Sequence, residues 1–367
     1  MSNPILRPRL ALALITSILL AACSTVPPPR VENPRPPVTK PVVVTKPAPP
    51  PVAVQQKSNG APEALETQIT ELWRNFPGRT GVAVLAIDSN WSISKRGEEL
   101  FPQQSVSKMW VAMTVLDQVD RGKLKLDQIV RITRDDLAVF HQPIRERVIA
   151  NGEVQETVQA LLELAITKSD NTANDSLLRT VGGPEAVRDF ISRKGLGKIR
   201  FGPGERGLQS GIAGMEWQQS YAIGNNFEAA RAKLSYDQRK AALDRYLADP
   251  VDGASPLALV KALGELSKGS LLSSSSTRML MAMMERTSSG PNRLKAGVPA
   301  GWRFGHKTGT GQQLAGVSTG YNDIAIMTAP DGKRYAVAVM MGDTTASIPD
   351  RMAMMQGVSR AVASEHR

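Results

Sequence analysis

The sequence predicts an α+β fold: one antiparallel sheet built from both chain ends and packed with helices, plus an all-helical lobe. Three observations carry this. Two strand patterns stand at the start of the ordinary-composition part of the chain, helical patterns fill the middle, and three strand patterns with a final helix close it. Strands segregated to the two ends with helices between them are satisfied by one antiparallel sheet built from both ends, with helices packed on it.

Residues 1–22 read as an export leader. Arg7 and Arg9 precede Leu10 to Ala22, an apolar run interrupted only by Thr16 and Ser17 and too short to span a bilayer. The run ends Leu20-Ala21-Ala22-Cys23, and Cys23 is the only cysteine of the 367 residues. Residues 24–60 then hold 11 of the 25 prolines. Proline fixes φ and removes a donor, so this stretch favours extended polyproline II, reaching up to roughly 100 Å at ~3.1 Å per residue. Residues 23–60 are expected to be a disordered spacer, and residues 61–367 one catalytic domain.

Within that domain, Leu65, Ile69, Leu72 and Trp73 have helical spacing over Pro62 to Phe76. Gly81 to Ile87 reads as a buried strand and Trp91 to Lys95 as its alternating partner. Ser105 to Val119 reads as a long apolar helix, and residues 154–194 as helical in pieces broken near Asn171 and at Gly182-Gly183-Pro184. Strands are expected over Gly301 to Lys307, Gly316 to Thr328 and Tyr335 to Met341, and a last helix over roughly Pro349 to Ala363.

Composition removes several function classes. A lone cysteine excludes an intrachain disulfide framework and multi-cysteine metal sites. Three histidines (His141, His306, His366) in unrelated settings argue against a histidine-rich metal site. The net charge of +11 would suggest an anionic partner, but the leader carries two arginines and the spacer five Lys/Arg against one Glu, leaving +5 for residues 61–367. The basicity thus belongs partly to segments expected beside lipid headgroups, and nucleic acid is not an expected partner.

Three short motifs can carry chemistry. In Ser105-Val-Ser-Lys108, a hydroxyl and an amine stand one helical turn apart at the positive end of a helix. The same pattern in Ser92-Ile-Ser-Lys95 lies in a strand, where positions three apart face opposite ways. Ser169-Asp170-Asn171 follows an apolar helical stretch, a common site for an Asx turn. His306-Lys307-Thr308-Gly309-Thr310-Gly311 ends a strand, and its glycines allow backbone to approach a ligand.

Taken together and in this order, S-x-x-K, S-D-N and K-T-G resemble the set carried by class A serine β-lactamases and related penicillin-binding proteins. The resemblance extends over residues 62–364 through Phe101-Pro102, Asn171 to Asn174, and Gly297 to Trp302. The family's omega-loop pattern E-x-x-L-N is matched at Glu205-Arg-Gly-Leu208-Gln209, with glutamine replacing asparagine. Beyond it, about residues 210–255 exceed the family pattern, with a capping-box signature at Ser235-Tyr-Asp-Gln238 and an expected apolar side of Ala242, Leu243, Tyr246 and Leu247. This insertion is expected to lid the site, widen it or pack on the back. The four residues ending at Cys23 resemble a bacterial lipobox, which implies a lipid anchor facing the periplasm; Ser24 favours the outer membrane.

The resemblance implies a hydrolase that opens β-lactams through an acyl-enzyme on Ser105 and needs no metal or organic cofactor. Lys108, or Glu205 through a water, would take the Ser105 proton. Ser169 would pass a proton to the lactam nitrogen with Lys307 supporting it, and the backbone N–H groups of Ser105 and Thr310 would form the oxyanion hole. Asn171 would hold the substrate's amide side chain and Lys108. Thr308, Thr310 and Arg293, with Gly309 between the threonines, would meet its carboxylate; Phe140 would wall the entrance. Glu205 would activate the deacylating water beside Gln209. The rival readings are a DD-peptidase acting on peptidoglycan and a non-catalytic cell-wall-binding lipoprotein. The domain is expected to be monomeric.

Overall fold

The computed structural model describes residues 60–89 and 91–366. The leader, Cys23 and the proline-rich spacer lie outside the described residues. At the centre is a five-stranded antiparallel sheet in the order Ser92–Lys95, Arg79–Ala86, Arg334–Asp343, Tyr321–Thr328, Arg303–Thr310. Both chain ends build it, as expected: Val82 faces Val339 and Val84 faces Val337, and Ile324 pairs with Lys307 at the far edge.

Thr80 to Ala86 is buried without a break because the sheet is covered on both faces. Val82, Val84, Val337, Val339 and Met341 pack with Leu65 and Ile69 of the helix Glu63–Asn75 and with Met355 and Val358 of the last helix, Ile348–Ser364. The alternate residues Ala83, Leu85, Ala338, Met340 and Ile324 enter a larger core around the helices Lys108–Asp120 and Pro256–Lys268. Residues 108–117 are all buried, so Lys108–Asp120 is covered on every side over most of its length and serves as the central post of the helical part. Around it stand Val158–Thr167, Asn171–Thr180 and Pro184–Arg193.

Four expectations change in detail. Residues 154–157 are not helical: Glu153–Thr157 pairs as a strand with Ile129–Thr133, its alternation burying Val154. The helix expected from Ser105 is a 3-10 turn, Gln104–Ser107, and the α-helix starts at Lys108. The strand expected over Gly316 to Thr328 is divided: Val317–Ser318 folds back on Gln313–Leu314, and the sheet strand begins only at Tyr321. The strand expected to stop at Lys307 continues to Thr310, which places the whole Lys-Thr-Gly-Thr run in the sheet edge.

The segment 210–255 carries the helices Asn226–Ala232 and Tyr236–Ala248. Ser235 and Gln238 form the expected capping box. Ala242, Leu243 and Tyr246 are buried, Tyr246 against Leu208 and Ile212, while Leu247 is only half-buried.

Candidate active site

Ser105 stands in the 3-10 turn that feeds the central helix. Three residues complete a 3-10 turn, so positions i and i+3 eclipse and Lys108 lies directly over Ser105. The residue before the serine, Gln104, adopts a left-handed φ of +54°, as do Phe140 (+62°) and Ser169 (+59°), all at the site. Such non-glycine conformations cost about 1–3 kcal/mol each and persist only where surrounding contacts over-determine them. Here they do: the Gln104 N–H donates to Asp252 Oδ2 at 2.8 Å, and Gln103 Nε2 donates to the Asp252 carbonyl at 2.5 Å.

Lys108 is fully buried, and its Nζ donates to Ser105 Oγ at 2.7 Å, Asn171 Oδ1 at 2.8 Å and Glu205 Oε1 at 2.5 Å. The three ammonium hydrogens therefore have three acceptors, which buried charge requires. Glu205 is 3% exposed, not a solvated loop carboxylate. It opens the helix Glu205–Ala213, where a carboxylate faces the positive end of the dipole. Gly204, with φ +90°, makes the entry; a Cβ there would lie 2.9 Å from Leu178 Cδ2.

Ser169, Asp170 and Asn171 divide three tasks. Ser169 Oγ accepts from Lys307 Nζ at 2.9 Å. Asp170 caps the helix Asn171–Thr180 by accepting from Ala173 N–H at 2.9 Å, and it also accepts from Ile144 N–H at 2.7 Å. Asn171 accepts from Lys108 and donates from Nδ2 to the Val139 carbonyl at 2.7 Å. Lys307 is buried at the sheet edge. Burial first, and then the nearby Lys108 charge, push its ammonium well below the ordinary lysine range.

The Lys307–Thr310 run packs directly against the nucleophile turn. Only glycine fits at 309, where a Cβ would sit 2.3 Å from the Gln103 carbonyl oxygen. Thr308 Oγ1 pairs with Ser289 Oγ at 2.7 Å. Arg293 reaches the end of the same strand. It is 7% exposed, donates to the carbonyls of Gly309 (2.9 Å) and Asn322 (2.6 Å) and lies over the Tyr321 ring. Its contact at the strand end is Thr310 Oγ1, at 2.5 Å. A guanidinium held by two strand carbonyls orients Thr310, whose own hydroxyl hydrogen stays available for an anion. Arg293 thus stands behind Thr310, one of the hydroxyls expected to meet a carboxylate.

Phe140 is 38% exposed and packs edge-on against Phe227 of the segment 210–255. Gln209 Nε2 lies 3.4 Å from Glu205 Oε2 and 3.2 Å from Gln104 Oε1. The segment 210–255 does not pack on the back. Phe227 meets Phe140 on one side, and Tyr246 meets Gln104 under the nucleophile turn at 2.7 Å.

Five residues that the motifs do not mark belong to this site. Asp175 accepts from the N–H groups of Glu205 (2.9 Å) and Arg206 (3.3 Å), and burial followed by the Glu205 charge raises its carboxyl to about 6. Its spacing of four from Asn171, on one helix face, was a usable signal. Gln104, Tyr246, Asp252 and Gln312 had no such signal. Among the described residues, no group of three or more His, Cys, Asp or Glu side chains is placed to hold a metal.

Comparison with known proteins places this geometry. Residues 64–365 match the sequence model of the Beta-lactamase enzyme family. The extended-spectrum beta-lactamase PER-1 of Pseudomonas aeruginosa is 30% identical over 296 residues, covering 81% of this chain and 85% of its own. A beta-lactamase structure from Chitinophaga pinensis superposes with a TM-score of 0.66 at 28% identity, over 83% of this chain and 99% of that one. The reconstructed class A beta-lactamase of the last common ancestor of Gram-negative bacteria gives 0.65 at 32% identity, over 83% and 100%. The motif triplet, the buried lysine–glutamate pair and the family match over nearly the whole described chain lead to one statement: this chain belongs to the class A branch of the beta-lactamase enzyme family.

Proposed function

We propose that this protein hydrolyses β-lactams through a covalent acyl-enzyme on Ser105. The observation that carries the reading is the Lys108 ammonium joining Ser105 Oγ and Glu205 Oε1 in a buried site. Ser105 Oγ attacks the lactam carbonyl. Lys108 Nζ lies 2.7 Å from Ser105 Oγ, and Glu205 stands on its far side. Two routes serve: Lys108 takes the serine proton directly, or Glu205 takes it through a water. Ser169, hydrogen-bonded to Lys307 Nζ, then delivers a proton to the departing nitrogen. Backbone N–H groups of Ser105 and Thr310 hold the oxyanion, a contribution of about 3–4 kcal/mol per donor in such sites. Thr310, oriented by Arg293, and Thr308 meet the substrate carboxylate, Asn171 its amide side chain, and Phe140 borders the entrance. Glu205 finally activates the water that releases the product, with Gln209 beside it.

Glu205 supports hydrolysis over a peptidase that acylates and stops, and a purely binding module has no use for a buried Lys–Glu pair, which is costly to desolvate. We also propose that Cys23 is lipidated and that residues 24–60 hold a monomeric catalytic domain, 61–367, away from the periplasmic face of the outer membrane. The leader's composition supports this.

The test is turnover of a chromogenic cephalosporin by the full-length protein, followed with intact-mass spectrometry. Multiple turnovers through a transient Ser105 adduct are expected. A stable adduct without turnover would support the peptidase reading, and no adduct would overturn both enzyme readings. For the anchor, Cys23→Ser should move the protein from the membrane to the soluble fraction; unchanged membrane association would refute it.

A further inference from the structure

A directed chain of side-chain hydrogen bonds runs beneath the nucleophile and ends on Gln209 from both sides. On one side, Gln312 Nε2 donates to the Gln209 backbone carbonyl at 2.8 Å and to Gln209 Oε1 at 3.0 Å. A backbone carbonyl can only accept, so the Gln312 amide can face Gln209 only with its nitrogen. The Gln312 backbone is itself held, its carbonyl accepting from the N–H (3.0 Å) and the hydroxyl (2.9 Å) of Thr319.

On the other side the order begins at a carboxylate. Asp252 Oδ1 accepts the Tyr246 hydroxyl at 2.8 Å, which leaves the Tyr246 oxygen to accept from Gln104 Nε2 at 2.7 Å. That turns Gln104 Oε1 toward Gln209, where it accepts from Gln209 Nε2 at 3.2 Å. Asp252 Oδ2 meanwhile holds the Gln104 N–H at 2.8 Å, so the same carboxylate fixes both the backbone and the side chain of the residue before Ser105.

Both ends impose the same orientation on the Gln209 amide. A flipped Gln209 would set its oxygen against Gln104 Oε1 and Glu205 Oε2 and its nitrogen against the Gln312 nitrogen. In the observed orientation the nitrogen donates toward Glu205 Oε2, and the other Glu205 oxygen receives Lys108. The Gln209 oxygen, with one lone pair used by Gln312, keeps a second for a water hydrogen. A water donating to that oxygen and to Glu205 presents its own lone pair to an acyl carbon.

We propose that Gln312 and Tyr246 are positioning residues for deacylation, acting through Gln104 to lock the Gln209 amide with its nitrogen on Glu205 and its oxygen toward the hydrolytic water. Acylation uses Ser105, Lys108 and Ser169 and does not require this orientation. Tyr246 comes from the segment 210–255, which therefore serves the chemistry of the site. The inference rests on the β-lactam reading given above, and the experiment separates the two.

Full-length wild type, Gln312→Leu, Gln312→Lys, Tyr246→Phe and the double variant Gln312→Leu/Tyr246→Phe are compared. Acylation and deacylation rates with a chromogenic cephalosporin are resolved by quenched-flow intact-mass spectrometry. Gln312→Leu and Tyr246→Phe should each slow deacylation on the order of tenfold, the effect of losing about one good hydrogen bond, with acylation within about twofold. Gln312→Lys keeps the donor and should restore most of the deacylation rate. Because both residues lock one amide, the double variant should fall short of the product of the single effects. Deacylation unchanged in both single variants overturns the proposal. So does a parallel loss of acylation and deacylation, which marks a merely structural role. Failure of the wild type to form an adduct overturns the β-lactam reading itself, and this inference with it.

Discussion

Replacing Glu205 with glutamine separates two roles of one carboxylate, the proposed base and the buried counter-ion. Its Oε1 lies 2.5 Å from Lys108 Nζ, and both side chains are almost wholly out of water. In the proposed mechanism the carboxylate is the base for the hydrolytic water, and removing such a base typically costs 10²–10⁴-fold, so deacylation should fall by about that factor. It is also the counter-ion of a buried ammonium. Leaving one partner of a buried pair costs about 3–5 kcal/mol, so Glu205→Ala should unfold at markedly lower denaturant concentration. Glu205→Gln keeps an oxygen for Lys108 and should lose much less. Stability should therefore order wild type, Gln, Ala, while both variants share one kinetic defect: acylation stays measurable and the Ser105 adduct accumulates. Stopped-flow with intact-mass spectrometry reads the kinetics and urea titration the stability. Turnover of Glu205→Gln within tenfold of wild type, without adduct, would refute the assignment.

Three further outcomes follow from the same geometry. The Lys307 ammonium is depressed by burial, so kcat/KM should decline on the alkaline side below the ordinary lysine range, and Lys307→Arg should move that limb upward; an unmoved limb would assign it elsewhere. Asp175 has its carboxyl raised from 3.8 to about 6, so the folded state binds the proton more tightly than the unfolded one. Stability from this group is thus present below about pH 4 and falls as pH rises to about 6, by roughly 3 kcal/mol; Asp175→Asn should remove that share in urea titrations and leave the share of Asp252, whose carboxyl burial also raises to about 6. Gly309→Ala places a Cβ 2.3 Å from the Gln103 carbonyl, so it should push the sheet edge off the nucleophile turn. A loss of about 1–3 kcal/mol in stability and a larger loss of acylation are expected; wild-type acylation would show that the close approach is dispensable.

The motif residues were legible because three short motifs in one order resemble a family set, and each motif keeps its local geometry in the fold. Ser105 and Lys108 share a side whether the turn is 3-10 or α, so the misplaced helix start left the reading intact. Asp170 is followed by a helix it caps, and Lys307 to Thr310 sits in a strand buried continuously from Phe304 to Gly309. Residues 153–157 were misread because a five-residue strand ahead of a helix blurs both periods, and it is the pairing with residues 129–133 that decides it. The resemblance assigned Arg293 to the substrate carboxylate. That it lies over Tyr321, held by the carbonyls of Gly309 and Asn322, is a matter of neighbours 16 and 29 residues away.

By itself the sequence determined which groups are present for the chemistry: a serine and lysine one turn apart, a second serine, a lysine on a sheet edge, and a glutamate after a loop. It also determined the sheet, because apolar periodicity is a local property that burial on one or two faces enforces. Only the tertiary structure decided how those groups are charged and aimed. The Lys108–Glu205 contact spans 97 residues, and the contacts Gln104–Tyr246, Gln104–Gln209 and Gln209–Gln312 span 142, 105 and 103. A polar amide or a loop carboxylate carries no sign of its partner in its own neighbourhood. Its orientation and its proton affinity are set by whatever the fold desolvates beside it.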